Sequence, residues 1–231
     1  MAQISWSQLA RRPIRVAWCM LLSVLAACNA PGTSNFSNTT VQTLHGTSLN
    51  VDLASPNLII KTWDKAEISV EMVQEGGTKD DYEIVVAEQA GTVSVQQRAR
   101  SCNNCGKLVI NIHLPASTSL AIKIASGSVT ADDVVGASQI AAGSGSIIFN
   151  SPLQANTDYN LSSQSGSVQV TLASTTQANV TASSTTGKVE SSIELPGVFK
   201  TRNSFAGTFG AEPSANLNIT TESGSIRLTQ N

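Results

Sequence analysis

Two cysteines separated by Asn103-Asn104, Cys102 and Cys105, carry the sharpest local chemistry in this 231-residue sequence. In an oxidising compartment such a pair favours a disulfide, here stapling a tight loop between strands. A redox-active C-x-x-C needs a lowered thiolate pKa, typically at a helix N-terminus, whereas Leu108 to Ile112 alternates like a strand. A structural zinc site needs about four ligands, and the only histidines are His45 and His113. A structural bond is therefore favoured over a metal site or a redox pair. No G-x-S-x-G elbow is present, and a Ser-His-Asp arrangement would have to draw His45 or His113 from strand-like contexts. His113 alternates with Ile112 and Leu114 and is expected to face solvent. Asp80-Asp81 and Asp132-Asp133 read as solvated turn carboxylates, because the glycine-aspartate nonapeptide of calcium-binding β-rolls is absent. No catalytic residue, metal ligand or cofactor is expected.

These residues must be held by an exported chain. Arg11, Arg12 and Arg15 form a positive n-region ahead of a largely apolar run of 12 residues, Val16 to Ala27. That run has the size of a signal-peptide core and is too short to span a bilayer. It ends in Leu25-Ala26-Ala27-Cys28, which resembles the lipobox of bacterial lipoprotein signals. The resemblance implies acylation of the Cys28 thiol, with palmitate-type chains, and cleavage before it. Acyl chains contribute ~0.8 kcal/mol per buried methylene, so two or three hold a protein on a membrane without a transmembrane helix. Pro13 after Arg11-Arg12 leaves a twin-arginine motif incomplete, so Sec-type export is the expectation. Asn29, not aspartate, follows the cysteine, which in a two-membrane host resembles the default route to the outer membrane. The expected organisation is a signal peptide over 1–27, a flexible tether over 28–40 (APGTSNFSNTT after Asn29) and one domain over 41–231.

Composition narrows the partners. Charged residues make up 13% of the chain and aromatics 4%, a thin supply for a large aromatic core. Three of the 14 basic residues lie in the first 27 positions, which hold no acidic one, so the processed chain is more acidic than its formal net charge of −2. Nucleic-acid binding needs a dense basic footprint and is excluded.

A repeat sets the architecture. An alternating apolar run, a glycine turn flanked by serines or threonines, and a second apolar run recur around Gly127, Gly145, Gly166, Gly187 and Gly224. These glycines are 18, 21, 21 and 37 residues apart; the long gap holds a degraded copy, Ala206-Gly207-Thr208-Phe209, within an irregular stretch from Pro196 to Ser214. Gly91, in Ala90-Gly91-Thr92-Val93, lies 36 residues before Gly127, close to two periods. Period-2 alternation sends every second side chain inward, and glycine turns the corner while the flanking serines satisfy freed backbone groups. A unit this short buries its apolar edge only by stacking on its neighbours. The expected fold is all-β: a right-handed β-helix or β-solenoid of about 20-residue repeats, with an antiparallel β-sandwich as the alternative. About nine rungs at roughly 4.8 Å each predict a rod 40 to 45 Å long. Trp63 is expected to cover an open end of it, with a sugar platform as the second reading. The sequons at Asn35, Asn38, Asn160, Asn179 and Asn218 are expected by chance in a Ser/Thr-rich chain.

The stretch Leu58-Ile59-Ile60-Lys61-Thr62-Trp63-Asp64-Lys65-Ala66-Glu67-Ile68-Ser69-Val70, with the Ser-Gly-Ser-Val copies, resembles a bacterial β-strand-repeat family of unknown function related to GIN-type, adhesin-like autotransporter head domains. The resemblance implies a parallel β-helix-like domain in exported, often lipid-anchored proteins, and no established activity. The expected function is a non-catalytic binding or structural module of the cell envelope. It would be anchored to the membrane by lipid and would meet an envelope protein or glycan. The alternatives are an envelope polysaccharide-active β-helix enzyme, which needs carboxylates from several rungs in one groove, and a disulfide-exchange protein using Cys102 and Cys105.

Overall fold

The computed structural model describes residues 37–77, 82–98, 105–193 and 198–231. Every element in them is a strand, because the alternating runs leave no helical stripe of apolar residues. In chain order these begin with β1 (Ser37–Leu44), β2 (Ser48–Leu53), β3 (Asn57–Trp63), β4 (Ile68–Glu75), β5 (Glu83–Gln89) and β6 (Thr92–Arg98). Next come β7 (Lys107–Pro115), β8 (Ser119–Ile124), β9 (Ser128–Asp132), β10 (Ser138–Ala142), β11 (Ser146–Asn150) and β12 (Asp158–Ser163). The last are β13 (Val168–Leu172), β14 (Ala178–Ser184), β15 (Val189–Ser191), β16 (Phe199–Lys200), β17 (Ser204–Phe209), β18 (Ala215–Thr221) and β19 (Ile226–Gln230). The alternation is realised strand by strand. In β8, Leu120, Ile122 and Ile124 are buried while Ala121 and Lys123 face out.

Seven pairs of strands form rungs: β2/β3, β6/β7, β8/β9, β10/β11, β12/β13, β14/β15 and β18/β19. The first strand of each rung lies in a ten-stranded sheet and the second in a nine-stranded sheet. All pairing between rungs is parallel and in register, which makes the fold a β-solenoid of two facing parallel sheets. One continuous apolar core fills it, from Leu49 and Ile60 through Ile122, Phe149 and Tyr159 to Ile219 and Leu228. Each fully buried Val, Leu or Ile contributes roughly 1.5–3 kcal/mol. Rung order differs from chain order at both ends. The first rung, β2/β3, sits between β6/β7 and β8/β9, and the last, β18/β19, sits between β12/β13 and β14/β15.

Antiparallel strands close the stack. At one end β4 pairs with β7 and β1 with β4, while β5 pairs with β6. At the other, β17 pairs with β14 and β16 with β17. Among the described residues, antiparallel pairing is thus real but confined to the caps, and the strands make seven rungs rather than nine. The degraded copy Ala206-Gly207-Thr208-Phe209 is a cap strand, with Gly207 opposite Val180 inside β17 rather than at a corner. Strand β1 begins at Ser37, inside the stretch 28–40 read as tether, because Ser37 to Thr40 continue the ladder opposite Glu75 to Met72. Gly91 also falls outside the corner set: with Ala90 it forms the two-residue turn of the β5–β6 hairpin.

That hairpin turn carries strain. Ala90 (φ 51°) and Gly91 (φ 76°) both have positive φ, as the tight turn preferred by right-twisted strands requires, and Asn-Gly is the pair that suits it. The Cβ of an ordinary L-residue there costs ~1–2 kcal/mol, less for asparagine. Ala90→Asn should therefore raise stability by about 0.5–1 kcal/mol, seen as a higher urea midpoint with an unchanged m-value.

Candidate functional site

The corners show why the repeat has its glycines. A Cβ added to Gly145, Gly166, Gly224 or Gly187 would lie 2.4, 1.7, 1.7 and 2.0 Å from the carbonyl oxygen of Gly127, Gly145, Gly166 and Gly224 respectively. At Gly127 it would meet the Pro56 carbonyl oxygen at 2.0 Å. These residues form a single column running across the rungs, and what they supply is room for the next rung's backbone; Gly127 alone of the five also has positive φ, at 98°.

The flanking residues carry part of the expected role: the hydroxyls of Ser126, Thr186 and Ser223 donate to the Ala54, Glu222 and Gln164 carbonyls at 3.4, 3.1 and 3.3 Å. The residue three before the glycine makes the corner bonds to the glycines themselves, most of them shorter. Ser163 Oγ accepts from the Gly166 N–H (2.9 Å) and donates to the Gly145 carbonyl (3.1 Å). Ser184 Oγ accepts from the Gly187 N–H (2.9 Å) and donates to the Gly224 carbonyl (2.9 Å). Thr221 Oγ1 donates to Gly224 O at 2.7 Å. A buried S/T-x-x-G was legible in these three rungs, but the other two corners have Ile124 and Ala142 at that position.

The outer face of the ten-stranded sheet displays registered polar ladders. Asp158, Asn216, Asn179 and Thr208 are successive cross-strand partners. Thr208 Oγ1 donates to Asn179 Oδ1 (3.3 Å), Asn179 Nδ2 to Asn216 Oδ1 (3.4 Å), and Asn216 Nδ2 to Asp158 Oδ1 (2.9 Å). Beside it run Gln139, Asn160, Asn218 and Thr181, with Thr181 Oγ1 donating to Asn218 Oδ1 at 3.1 Å. A third ladder, Lys123, Ala141, Ser162, Thr220 and Ser183, floors a groove of about 690 Å³ whose wall includes Gln164 and Glu222. Such rows repeat at the strand spacing of ~4.8 Å and offer amide and hydroxyl groups in both donor and acceptor roles.

The opposite face is more varied. Lys61, Asp132 and Asn150 are cross-strand partners at a polar groove of about 680 Å³, where Asn150 Nδ2 donates to Asp132 Oδ1 (3.1 Å). Asp133 has φ 62° and its N–H donates to the Asn150 carbonyl. The two aspartates come from one rung. Glu222 is the carboxylate of the first groove, so neither groove collects carboxylates from several rungs. Among the described residues, no group of three or more His, Cys, Asp or Glu is placed to hold a metal ion.

Trp63 does not cover an open end. Its strand lies between β7 and β9, and the half-buried ring stacks on His113 (centroids 5.4 Å apart) beneath Lys65 Nζ at 4.5 Å, with Nε1 donating to Glu67 O. His113 is correspondingly half-buried rather than fully solvated. The His45 N–H donates to Glu88 Oε2 beyond the end of β1. Cys105 is disulfide-bonded and two residues later the chain enters strand β7, with no helix N-terminus to lower a thiolate pKa. Cys28, Cys102 and Asp80-Asp81 lie outside the described residues.

Residues 104–229 match the sequence profile of the family described as Toastrack DUF4097. The chain belongs to the Toastrack DUF4097 family. The Toastrack match opens at residue 104, between Cys102 and Cys105 in sequence, so β1 to β6 precede it although β2/β3 is packed within the stack. No curated protein matches the chain significantly in sequence. Among solved structures, a "putative cell adhesion protein" from Clostridium sporogenes is similar with a TM-score of 0.62 at 16% identity, covering 85% of this chain and 100% of its own. A "putative adhesin" from Bacteroides fragilis covers 85% and 98% at 13% identity and a TM-score of 0.38. A "putative lipid binding protein" from Parabacteroides distasonis covers 85% and 98% at 13% identity and a TM-score of 0.30. At these identities the Clostridium likeness establishes a shared Toastrack fold and nothing about ligand.

Proposed function

We propose that the chain is a lipid-anchored, non-catalytic binding module of the bacterial cell envelope, related to adhesin-like head domains and presenting the outer face of its ten-stranded sheet to an envelope protein or glycan. The observation that carries this reading is the set of registered Asn, Ser, Thr and Gln ladders on that face, in which Thr208, Asn179, Asn216 and Asp158, and Thr181 and Asn218, are joined by hydrogen bonds. A rigid row of paired amides and hydroxyls can bind a repetitive polar polymer or a polar protein surface with little loss of side-chain entropy on contact. The Cys28 lipid, the tether after it and a Cys102–Cys105 disulfide that closes the loop before β7 complete the reading. The Leu-Ala-Ala-Cys sequence supports the first, and the bonded state of Cys105 supports the last.

Cys28→Ser should move the protein from the membrane fraction to the soluble fraction and remove the acyl mass from its N-terminal peptide. Wild-type protein without acyl mass would sink the anchoring. A photo-crosslinking residue at Asn218 should capture one recurrent protein or glycan in cells, while the same probe at Thr130 on the opposite sheet should not. Equal or scattered capture from both positions would favour a spacer without a specific partner.

A further inference from the structure

Among the described residues the solenoid ends on four edge strands, and three of them are blunted. An open edge presents unpaired N–H and C=O groups that invite another strand, and proteins suppress this with short strands, charges or proline. β15 has three residues and carries Glu190, which is paired with Lys188 and Arg227 at 3.0 Å each. β16 has two residues. β5 carries Glu83 and Glu88, the former paired with Arg98 at 3.2 Å.

β1 has none of these devices. It is eight residues long, SNTTVQTL, with no charge, proline or glycine. Among the described residues it is hydrogen-bonded on one side only, to β4. In its middle stands Val41, 58% exposed, one of two large exposed apolar residues in the described structure; the other, Phe199 at 63%, lies on the two-residue β16.

We propose that β1 is a homodimer interface, at which the β1 strands of two copies pair antiparallel and join their nine-stranded sheets into one. Pairing about a two-fold axis perpendicular to the sheet keeps outer faces together, and the register that does so with the apolar residue at the centre sets Val41 against Val41 and Thr39 against Thr43 of the other copy. Such an interface is isologous and closes on itself. A strand with no charge fits a second copy of itself without like-charge repulsion, whereas β5 would set glutamate against glutamate. The position of β1 adds a second argument, which rests on the anchoring proposed above. Cys28 precedes Ser37 by nine residues, a reach of at most about 30 Å. Two anchored copies would therefore bring β1 strands to the same height above one membrane, with the tethers leaving from opposite ends of the antiparallel pair, each long enough to reach that membrane.

The test is the mass of the mature full-length chain in solution, by light scattering with any detergent contribution subtracted. Wild type should show twice the chain mass. Val41→Lys should shift it to monomer, because two lysines then meet at the axis while Glu71, the intramolecular partner of position 41, keeps the fold content. Thr43→Lys, on the same face, should do the same, and Phe199→Lys should leave the dimer intact. A β-rich far-UV circular dichroism spectrum and a cooperative melt retained by the lysine variants separate dissociation from unfolding, since loss of the interface itself lowers the midpoint. A monomeric wild type, or a dimer that survives both β1 lysines, overturns the proposal. The measurement reads equally on acylated and unacylated protein, so failure of anchoring and failure of pairing are told apart.

Discussion

Gly166→Ala should cost at least ~3 kcal/mol, at the upper end of overpacking effects, and should leave the chain partly unfolded or aggregated on expression. A methyl group there would sit 1.7 Å from the Gly145 carbonyl oxygen, 2.4 Å from its carbon and 2.9 Å from Ser163 Oγ. Two of these are backbone atoms of the rung below and cannot rotate away. Moving the rungs apart instead would stretch the ladders β11–β13 and β10–β12 and break the hydrogen bond from Ser163 to the Gly145 carbonyl. Gly91→Ala is the informative comparison. Its Cβ would meet nothing closer than Thr47 Oγ1 at 3.9 Å, so its cost is that of positive φ alone, about 1–2 kcal/mol. Urea melts of the two variants decide the matter: a Gly166→Ala penalty no larger than that of Gly91→Ala would mean that the glycine column is conformational in origin and not a matter of close approach.

The same column shows what could be read in advance. Alternation places Ile122, Val129, Ile147 and Val170 inside on period alone, and they are inside. The glycine spacing marked the corners of five rungs because close stacking forbids any other residue there. Rung order was not legible. Each rung offers the same inward apolar pattern and the same corner, so β18/β19 fits beside β12/β13 as well as β14/β15 does, and only the lengths of the connections could have told them apart. The spacing of 37 residues from Gly187 to Gly224 was the signal at one end, since it holds the cap strands β16 and β17 and the return into β18/β19, whereas the 36 residues from Gly91 to Gly127 hold the rung β6/β7 and strand β8 with no cap strand among the described residues. The caps were missed because an antiparallel cap strand such as β17 alternates just as a rung strand does. On the candidate face, Asn160, Asn179, Asn216 and Asn218 stood as scattered polar partners of buried residues; that they line up depends on which rungs are neighbours. Trp63 was misplaced for the same reason, since β3 seemed terminal in sequence and is interior in the stack.

Tyr159→Phe should cost roughly 1–3 kcal/mol at neutral pH, because it leaves buried backbone groups unpaired, equivalent to a melting shift of about 3–10 °C for a domain of this size. The ring is fully buried in β12 against Phe149, at 5.8 Å between centroids. Its hydroxyl donates to the Val135 carbonyl (2.7 Å) and accepts from the Gln154 N–H (2.9 Å), so one side chain ties together the loops before β10 and before β12. Burial pushes the phenol above its ordinary pKa of 10.0, against the opposing effect of hydrogen bonds from Gln154 and Thr157. The folded chain therefore keeps this proton after the unfolded chain has begun to lose it. The stabilisation is complete below pH 10 and declines as pH rises beyond it, where unfolding releases a proton. Phenylalanine has no such proton, so the stability gap between wild type and Tyr159→Phe should narrow as pH rises above about 10. Urea unfolding of the two proteins across that range checks both parts. Equal stability at pH 7 would remove the hydroxyl's role in joining the loops, and a gap that stays constant through the alkaline range would remove the ionisation.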